Sequence, residues 1–204
     1  MKLYYLPGAC SLTIHIALEW IGKPFEAQKM ERSALKTPEY FKINPVGSVP
    51  ALSDGDFTLT QNVAIVSYLA AKYPEAGLLG DGTPKSQAET LRWLAFINSD
   101  IHRTFSRIFG AQRFVSSEVA QEELRSQAAQ TLRDYFTIID TQLTGRDYLT
   151  GAKPTAADAY LFVVLRWAVA THIDLSGLAQ LPKFVERMQA NPGVAAALKD
   201  EELA

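Results

Sequence analysis

The chain has 204 residues, of which 48% are hydrophobic and 21% charged, a balance typical of a globular protein and unlike that of a disordered chain. Its 20 basic and 22 acidic residues leave a net charge of −2, which gives no electrostatic basis for binding nucleic acid or an anionic membrane surface. No apolar run approaches the roughly 20 residues of a membrane-spanning helix.

The first third of the chain mixes strand and helix patterns. Short apolar runs closed by turn-forming residues predict strands, apolar residues at helical spacing predict helices, and Asp54-Gly55-Asp56 predicts a hairpin turn. In chain order we predict a strand at 3–6, a helix at 11–21, a strand at 25–30, a short helix at 37–43, a hairpin at 51–60 and a helix at 63–73. One right-handed parallel crossover followed by a hairpin predicts a four-stranded mixed sheet.

Residues 74–84 are rich in proline and glycine and are predicted to be a linker. Strand patterns become weak after the linker. Five helices are predicted there, at 84–113, 118–143, 156–171, 182–189 and 194–198. We therefore expect two domains: an α/β domain at 1–77 and an all-α bundle at 84–204. Thr155 and Asp158 form a capping-box pattern before the most apolar helix, and this pattern predicts structure and no chemistry.

The residues after the first predicted strand offer a thiol at the start of a helix. A Cys10 thiolate there would be stabilised by the helix dipole and free backbone N–H groups, so we expect a lowered pKa, although the residue could also be an inert small hydrophobe. Ser11 could assist the chemistry or simply cap the helix. Tyr5 could direct its hydroxyl to the same corner, but by strand alternation it could equally belong to the core.

Two further segments could bind an extended ligand. A cis Val49-Pro50 bond would turn the Val49 backbone outward to pair with a peptide, whereas a trans bond would make this a simple turn. Gln61 and Asn62 open the next predicted helix, where free N–H groups bind carboxylates, although Asn62 could merely cap that helix.

In the helical half, His102 and Arg103 belong to a polar stripe that also contains Asn98, Ser99 and Ser106, which could equally be a solvated face. The three histidines lack the spacing of a metal site, so no metal is predicted. The chain lacks a G-x-G-x-x-G, a P-loop and a G-x-S-x-G motif, which argues against a nucleotide-dependent enzyme or an α/β-hydrolase.

Four strings in order across the chain resemble the cytosolic glutathione transferases, most closely the bacterial beta class. They are MKLYY with PGACS (1–11), NPVGSVPAL (44–52), VAI with YL (63–69), and AADAYLF with LRWA (156–168). The resemblance implies a thioredoxin-like N-terminal domain, a helical C-terminal domain, a homodimer and glutathione as co-substrate. Gln61 departs from the glutamate usual in the beta class, and Ala95 stands where relatives place an asparagine.

Carried over residue by residue, the resemblance implies the following roles. Cys10 faces the glutathione sulfur, Val49 before a cis Pro50 pairs with the cysteinyl unit, and Gln61 and Asn62 hold the γ-glutamyl end. Lys36 lies near the glycyl carboxylate, and His102 with Arg103 stands beside the active site. The resemblance places Trp167 along the active site. With Tyr5, the candidates to line the second-substrate pocket are Phe105, Phe109, Phe114 and Trp167, although at helical spacing these aromatic residues could equally be core.

The resulting hypothesis is a detoxification-type conjugation, in which the site lowers the pKa of bound glutathione and the sulfur attacks an apolar, small-molecule electrophile. Cys10 and Ser11 would donate hydrogen bonds to the sulfur, and His102 would assist. Two alternatives stay open: thiol–disulfide exchange by Cys10 itself, as in glutaredoxins, and a non-catalytic ligand-binding protein. Reduction of disulfides or peroxides at the expense of glutathione would also fit.

The cellular compartment is suggested by the single cysteine and by the N-terminal residues. Cys10 cannot form an internal disulfide, so nothing requires an oxidising compartment. The N-terminal apolar run has one lysine and is interrupted by Pro7 and Gly8, a poor match to a signal peptide. We therefore expect a cytoplasmic protein with no membrane or nucleic-acid partner.

Overall fold

The protein is described by a computed structural model that covers residues 1–203. Its first part runs β1 (Lys2–Tyr5), α1 (Leu12–Ile21), β2 (Glu26–Lys29), α2 (Pro38–Phe41), β3 (Ala51–Asp54), β4 (Phe57–Thr60) and α3 (Asn62–Lys72). Its second part runs α4 (Pro84–Phe96), α5 (Arg103–Phe109), α6 (Glu118–Gln142), α7 (Ala156–Ala170), α8 (Gln180–Gln189) and α9 (Pro192–Asp200).

The four strands form one mixed sheet in the order β2-β1-β3-β4, as predicted. β1 and β2 are parallel and joined through α1, whereas β3 runs antiparallel to both β1 and β4. The hairpin between β3 and β4 turns at Gly55, whose φ of 64° is accessible to glycine at little cost. The thioredoxin-like fold expected for the first part and the helical fold expected for the second are both confirmed.

The prediction of one continuous α-helix over 84–113 is wrong in one respect, because the type of helix changes along this segment. α4 passes into a π-helical segment at Ile97–His102, and α5 then runs to Phe109 before a short 3₁₀ turn at Ala111–Arg113. A π-helical turn holds an extra residue, and such turns are frequent at functional sites. Apolar spacing alone does not reveal it because the buried face stays continuous.

The core is centred on α7, whose residues from Ala156 to Leu165 are all buried. α1 packs against both α7 and α9, so the core is continuous between the two parts of the chain. Asp158 reaches back as predicted: its carboxylate accepts hydrogen bonds from the Thr155 N–H at 2.8 Å and from the Leu149 N–H at 2.8 Å. This contact anchors the start of α7 and the loop before it.

No helix among residues 1–203 is long and apolar enough to cross a membrane.

Candidate active site

A cleft of about 890 Å³ lies between the sheet half and the helical half of the protein. Eight residues predicted from the sequence to serve catalysis or glutathione binding line it together: Cys10, Lys36, Val49, Pro50, Gln61, Asn62, His102 and Arg103. They come from the turn after β1, the 3₁₀ turn at Ala34–Lys36 before α2, the loop before β3, the start of α3 and the junction of α4 with α5. The fold therefore brings to one place residues that are up to about 90 positions apart in the chain.

The wall on the sheet side is formed by backbone as well as side chains. The Val49-Pro50 bond is cis, the isomer that the family resemblance implies, and both residues line the cleft. The Val49 carbonyl accepts a hydrogen bond from the Cys10 thiol, with Sγ and O 3.4 Å apart. The Val49 N–H donates to none of the described residues, so an extended ligand could use it as a donor.

The prediction of a lowered pKa for Cys10 is wrong. Cys10 precedes α1 by two residues, and burial of the sulfur raises the pKa of its thiol to about 12. Nearby backbone N–H groups and the Asn62 amide oppose this shift but are outweighed by the loss of water. At neutral pH the thiol is therefore protonated and acts as a hydrogen-bond donor.

Ser11 and Tyr5 do not face the cleft, contrary to their predicted roles. The Ser11 side chain is fully buried, and its hydroxyl accepts from the Leu6 N–H at 3.2 Å and donates to the Leu6 carbonyl at 3.3 Å. Tyr5 is a core residue, 5% exposed, and packs against the His15 ring. Strand alternation left the direction of Tyr5 open, and packing against α1 decides it.

The start of α3 presents a strained residue followed by a buried amide. Gln61 is exposed and has a φ of 75°, a backbone conformation that costs non-glycine residues about 1–3 kcal/mol and that clusters at functional sites. Asn62 does not cap the helix: its Nδ2 donates to the Cys10 carbonyl at 3.1 Å. Its buried Oδ1 has no partner among residues 1–203, so it is available to a donor group of a ligand.

On the helical side, His102 belongs to a hydrogen-bonded network that sequence analysis missed in part. The Tyr160 hydroxyl lies 2.6 Å from His102 Nδ1 and donates to Asn98 Oδ1 at 3.1 Å. Because the Tyr160 proton is used on Asn98, we assign the Nδ1 proton to His102, which leaves Nε2 as an acceptor. Burial lowers the pKa of His102 to about 4, so the ring is neutral at pH 7.

Tyr160 itself gave only a weak sequence signal. It lies inside the apolar run of α7, where a tyrosine is usually a core residue, and burial does raise the pKa of its hydroxyl. The hydroxyl nevertheless lines the cleft, next to Asn62. A hydroxyl within the apolar stretch 159–165 of this helix was the available clue.

The lining of the cleft is positively charged. Four of its side chains are cationic, those of Arg32, Lys36, Arg103 and Arg113, and none is acidic. Two of the three Lys36 donors are used within the protein, on the Val46 carbonyl at 3.2 Å and the Gly47 carbonyl at 2.9 Å. The arginines are exposed, so the cleft favours an anionic ligand.

The aromatic residues predicted for a second-substrate pocket are mostly placed elsewhere. Phe105 is fully buried, and the Trp167 N–H donates to the Gly8 carbonyl at 2.7 Å, which anchors the turn after β1. Phe109 is half exposed but stacks on Phe105 and does not line the cleft. Phe114 does line it and is 52% exposed. Helical spacing alone could not separate these cases.

Comparison with known proteins agrees with the geometry of the cleft. Residues 1–71 match the family model for the glutathione S-transferase N-terminal domain, and residues 122–200 match that for the C-terminal domain. Glutathione S-transferase GST-4.5 of Xanthomonas campestris is 46% identical over the full length of both chains.

Two solved structures cover the whole of both chains with a TM-score of 0.87. One is a sphingomonad glutathione S-transferase in complex with glutathione, 36% identical to this chain. The other is a bacterial beta class glutathione S-transferase from Sphingomonas chungbukensis, 35% identical. From its matches along the whole sequence and its fold, the chain belongs to the glutathione S-transferase family.

Proposed function

We propose that this protein is a glutathione transferase that binds reduced glutathione in the cleft and directs its sulfur at apolar electrophiles. The observation that carries the proposal is the composition of the cleft: four cationic side chains and no acidic one beside an unpaired backbone N–H and a protonated thiol. Glutathione carries two carboxylates and one ammonium group, and ionisation of its thiol adds a further negative charge.

The tripeptide fits the cleft as an added extended segment. Its cysteinyl unit would accept a hydrogen bond from the Val49 N–H. The γ-glutamyl carboxylate would lie at the N-terminus of α3 near Gln61, with its ammonium group donating to the unpartnered Asn62 Oδ1. Lys36 and Arg32 would hold the glycyl carboxylate at the opposite end.

Thiol activation in this pose depends on hydrogen-bond donors and positive charge. When the glutathione thiol loses its proton to water, the Cys10 S–H can turn from the Val49 carbonyl to the resulting thiolate. The cationic lining stabilises the same charge, so both features lower the pKa of bound glutathione. The thiolate then forms a sulfur–carbon bond with the electrophile, and the leaving group departs with the electron pair of its own bond.

His102 contributes through its neutral Nε2 acceptor. With Nδ1–H donated to Tyr160, Nε2 can accept a hydrogen bond from a water or from the substrate thiol before ionisation. A pKa of about 4 means that the imidazole contributes no positive charge at pH 7. Its part is orientation of the thiol, with Arg103 beside it supplying the charge.

Thiol–disulfide exchange by Cys10 itself is less favoured by the structure. Glutaredoxin-like chemistry needs a cysteine thiolate as the attacking group, and such cysteines have lowered pKa values. A Cys10 pKa of about 12 leaves very little thiolate at neutral pH. Glutathione-dependent reduction of a peroxide or disulfide stays compatible with the cleft, since there the glutathione sulfur is the nucleophile.

We further propose that the protein is a cytoplasmic, beta-class homodimer acting in detoxification. Reduced glutathione is maintained in the cytosol, which suits an enzyme that consumes it. The half-exposed Phe57 on β4, together with a groove of about 410 Å³ that includes Trp93 and Ile138, offers apolar surface for a second copy. Sedimentation should give twice the 22.5 kDa chain mass; a monomer at micromolar concentration would contradict the dimer.

The charge argument is tested by a matched pair of arginine variants on α5. Arg103 lines the cleft, whereas Arg107, one turn further along, is exposed and does not. We expect Arg103→Gln to raise the pKa of bound glutathione and to lower kcat/KM for a halogenated nitrobenzene by about tenfold, the equivalent of one charge-assisted contact. Arg107→Gln should behave as wild type. Equal behaviour of the two variants would contradict the role of the cationic lining.

A measurement of turnover distinguishes an enzyme from a non-catalytic binding protein. Calorimetry should show binding of reduced glutathione, and ultraviolet absorbance should show thiolate formation at a pH below that needed by the free tripeptide. If glutathione binds but no electrophile, peroxide or disulfide reacts, the chain is a ligand-binding protein. If glutathione does not bind, the proposed pose fails altogether.

A further inference from the structure

A second cluster of polar side chains lies on the far side of α1, where α1 meets the C-terminal end of α9. His15 and Glu19 are one turn apart on α1, and Asp200 is the last residue of α9. One ligand atom from each, a ring nitrogen and two carboxylate oxygens, lies within 4.8 Å of the others. None of these three residues lines the cleft.

The orientation of the His15 ring is set by a buried carboxylate. His15 is fully buried, and its Nδ1 lies 3.0 Å from Glu201 Oε1. Glu201 is also buried, and its other oxygen accepts a hydrogen bond from the Gly8 N–H at 2.8 Å. A carboxylate in this position orients the ring by accepting its Nδ1–H, which directs Nε2 away from Glu201 and towards Asp200.

The free side of the ring is unpartnered and faces acidic groups. His15 Nε2 has no hydrogen-bond partner among residues 1–203 and lies 3.8 Å from Asp200 Oδ2. A ring nitrogen facing a carboxylate oxygen at this distance is satisfied either by a proton on the ring or by a metal ion held between the two atoms. In the described part of the chain, no lysine or arginine forms an ion pair with Glu19, Asp200 or Glu201.

From this arrangement we propose that His15 Nε2, Glu19 and Asp200 bind one divalent transition-metal ion, with Glu201 orienting the histidine. An imidazole with two carboxylates suits zinc, cobalt or manganese better than calcium or magnesium, which prefer oxygen ligands alone. A carboxylate–histidine–metal arrangement is the usual way in which proteins fix the tautomer of a metal-binding histidine.

Binding an ion requires the cluster to close. Two ligands about 2.1 Å from a tetrahedral zinc ion are about 3.4 Å apart, so ligand atoms as far apart as 4.8 Å must approach by roughly 1.4 Å. The Asp200 side chain is 57% exposed and Glu19 is partly exposed, so both can change rotamer. The side of the cluster formed by these two carboxylates faces solvent, so an ion can enter there and water can complete its coordination.

The consequence of binding would be a link between the two halves of the protein. α1 belongs to the sheet half and α9 ends the helical half, and the two helices already pack together. An ion held only by the folded chain stabilises it by mass action. The site is separate from the cleft, so the proposal stands or fails independently of glutathione binding.

The test is a metal titration of the full-length chain without glutathione. We expect Zn²⁺ calorimetry to show one ion per chain, a rise in Tm, and a Co²⁺ visible spectrum of nitrogen and oxygen ligands. Glu19→Gln and Asp200→Asn should each weaken the affinity at least about tenfold. Glu202→Gln, which removes a neighbouring exposed carboxylate paired with Lys29, should bind as wild type.

Two further measurements identify the ligands. Repeating the titration with Cys10→Ala removes the one thiol of the chain, and the affinity should be unchanged. Nitrogen-detected NMR should show that Zn²⁺ shifts Nε2 of His15. The proposal is overturned if no ion binds up to about 1 mM, if all carboxylate variants bind equally, or if both ring nitrogens of His15 stay protonated when Zn²⁺ is added.

Discussion

We expect the Cys10 thiol to react with a small aromatic disulfide about 30 to 60 times more slowly at pH 7 than an ordinary exposed cysteine. Burial moves its pKa from 9.0 to about 12, which lowers the thiolate fraction by about three powers of ten. A more basic thiolate is a better nucleophile, and a Brønsted coefficient of 0.4–0.5 recovers about 16- to 32-fold over three pKa units.

The chain provides its own reference because Cys10 is its only cysteine. Rates would be measured by release of the aromatic thiol from the folded chain without glutathione and from the chain unfolded in urea, with Cys10→Ala as the blank. The folded rate should keep rising about tenfold per pH unit beyond pH 9, since most of the thiol is still protonated there. A rate for the folded chain equal to that of the unfolded chain, or a rate that stops rising below pH 9, would refute the raised pKa of Cys10. Either result would favour Cys10 as a nucleophile.

Two other predictions concern residues of α7. Asp158→Ala should lower the free energy of unfolding by about 3–4 kcal/mol at pH 7, since the buried N–H groups of Leu149 and Thr155 lose their acceptor. Burial raises the Asp158 pKa from 3.8 in the unfolded chain to about 6, so the contribution of this group increases as pH falls. Urea unfolding should show that the free energy of unfolding of the wild type exceeds that of Asp158→Ala by about 1.4 kcal/mol more at pH 5 than at pH 8. A difference that becomes smaller towards pH 5 would refute the predicted direction of the pH dependence. Tyr160→Phe should weaken the preference of His102 for the tautomer protonated on Nδ1 by about 1 kcal/mol, a roughly fivefold change in the tautomer ratio. NMR of the ring nitrogens measures this ratio, and an unchanged ratio would mean that Tyr160 does not set the tautomer.

Local patterns were enough to determine the order of the elements and most of the cleft. Turn formers at Gly55 and helical spacing in α1, α3 and α7 fix local geometry through short-range sterics and amphipathicity, so strands and helices were found close to their observed bounds. The family resemblance, carried over position by position, then predicted Val49, Gln61 and His102 as site residues, and all three line the cleft. Of these, only Val49 lies within one of the matching strings.

Only the tertiary structure decided which way the side chains point and how much water surrounds them. Cys10 has the position of an activated cysteine, yet packing removes water from its sulfur and raises its pKa. Phe105 and Trp167 have the spacing of pocket residues, yet one is core and the other anchors a turn. The His15 cluster joins His15 and Asp200, which are 185 positions apart in the chain. Desolvation and long-range contacts of this kind depend on how the elements pack against one another, and a local sequence pattern does not contain that information.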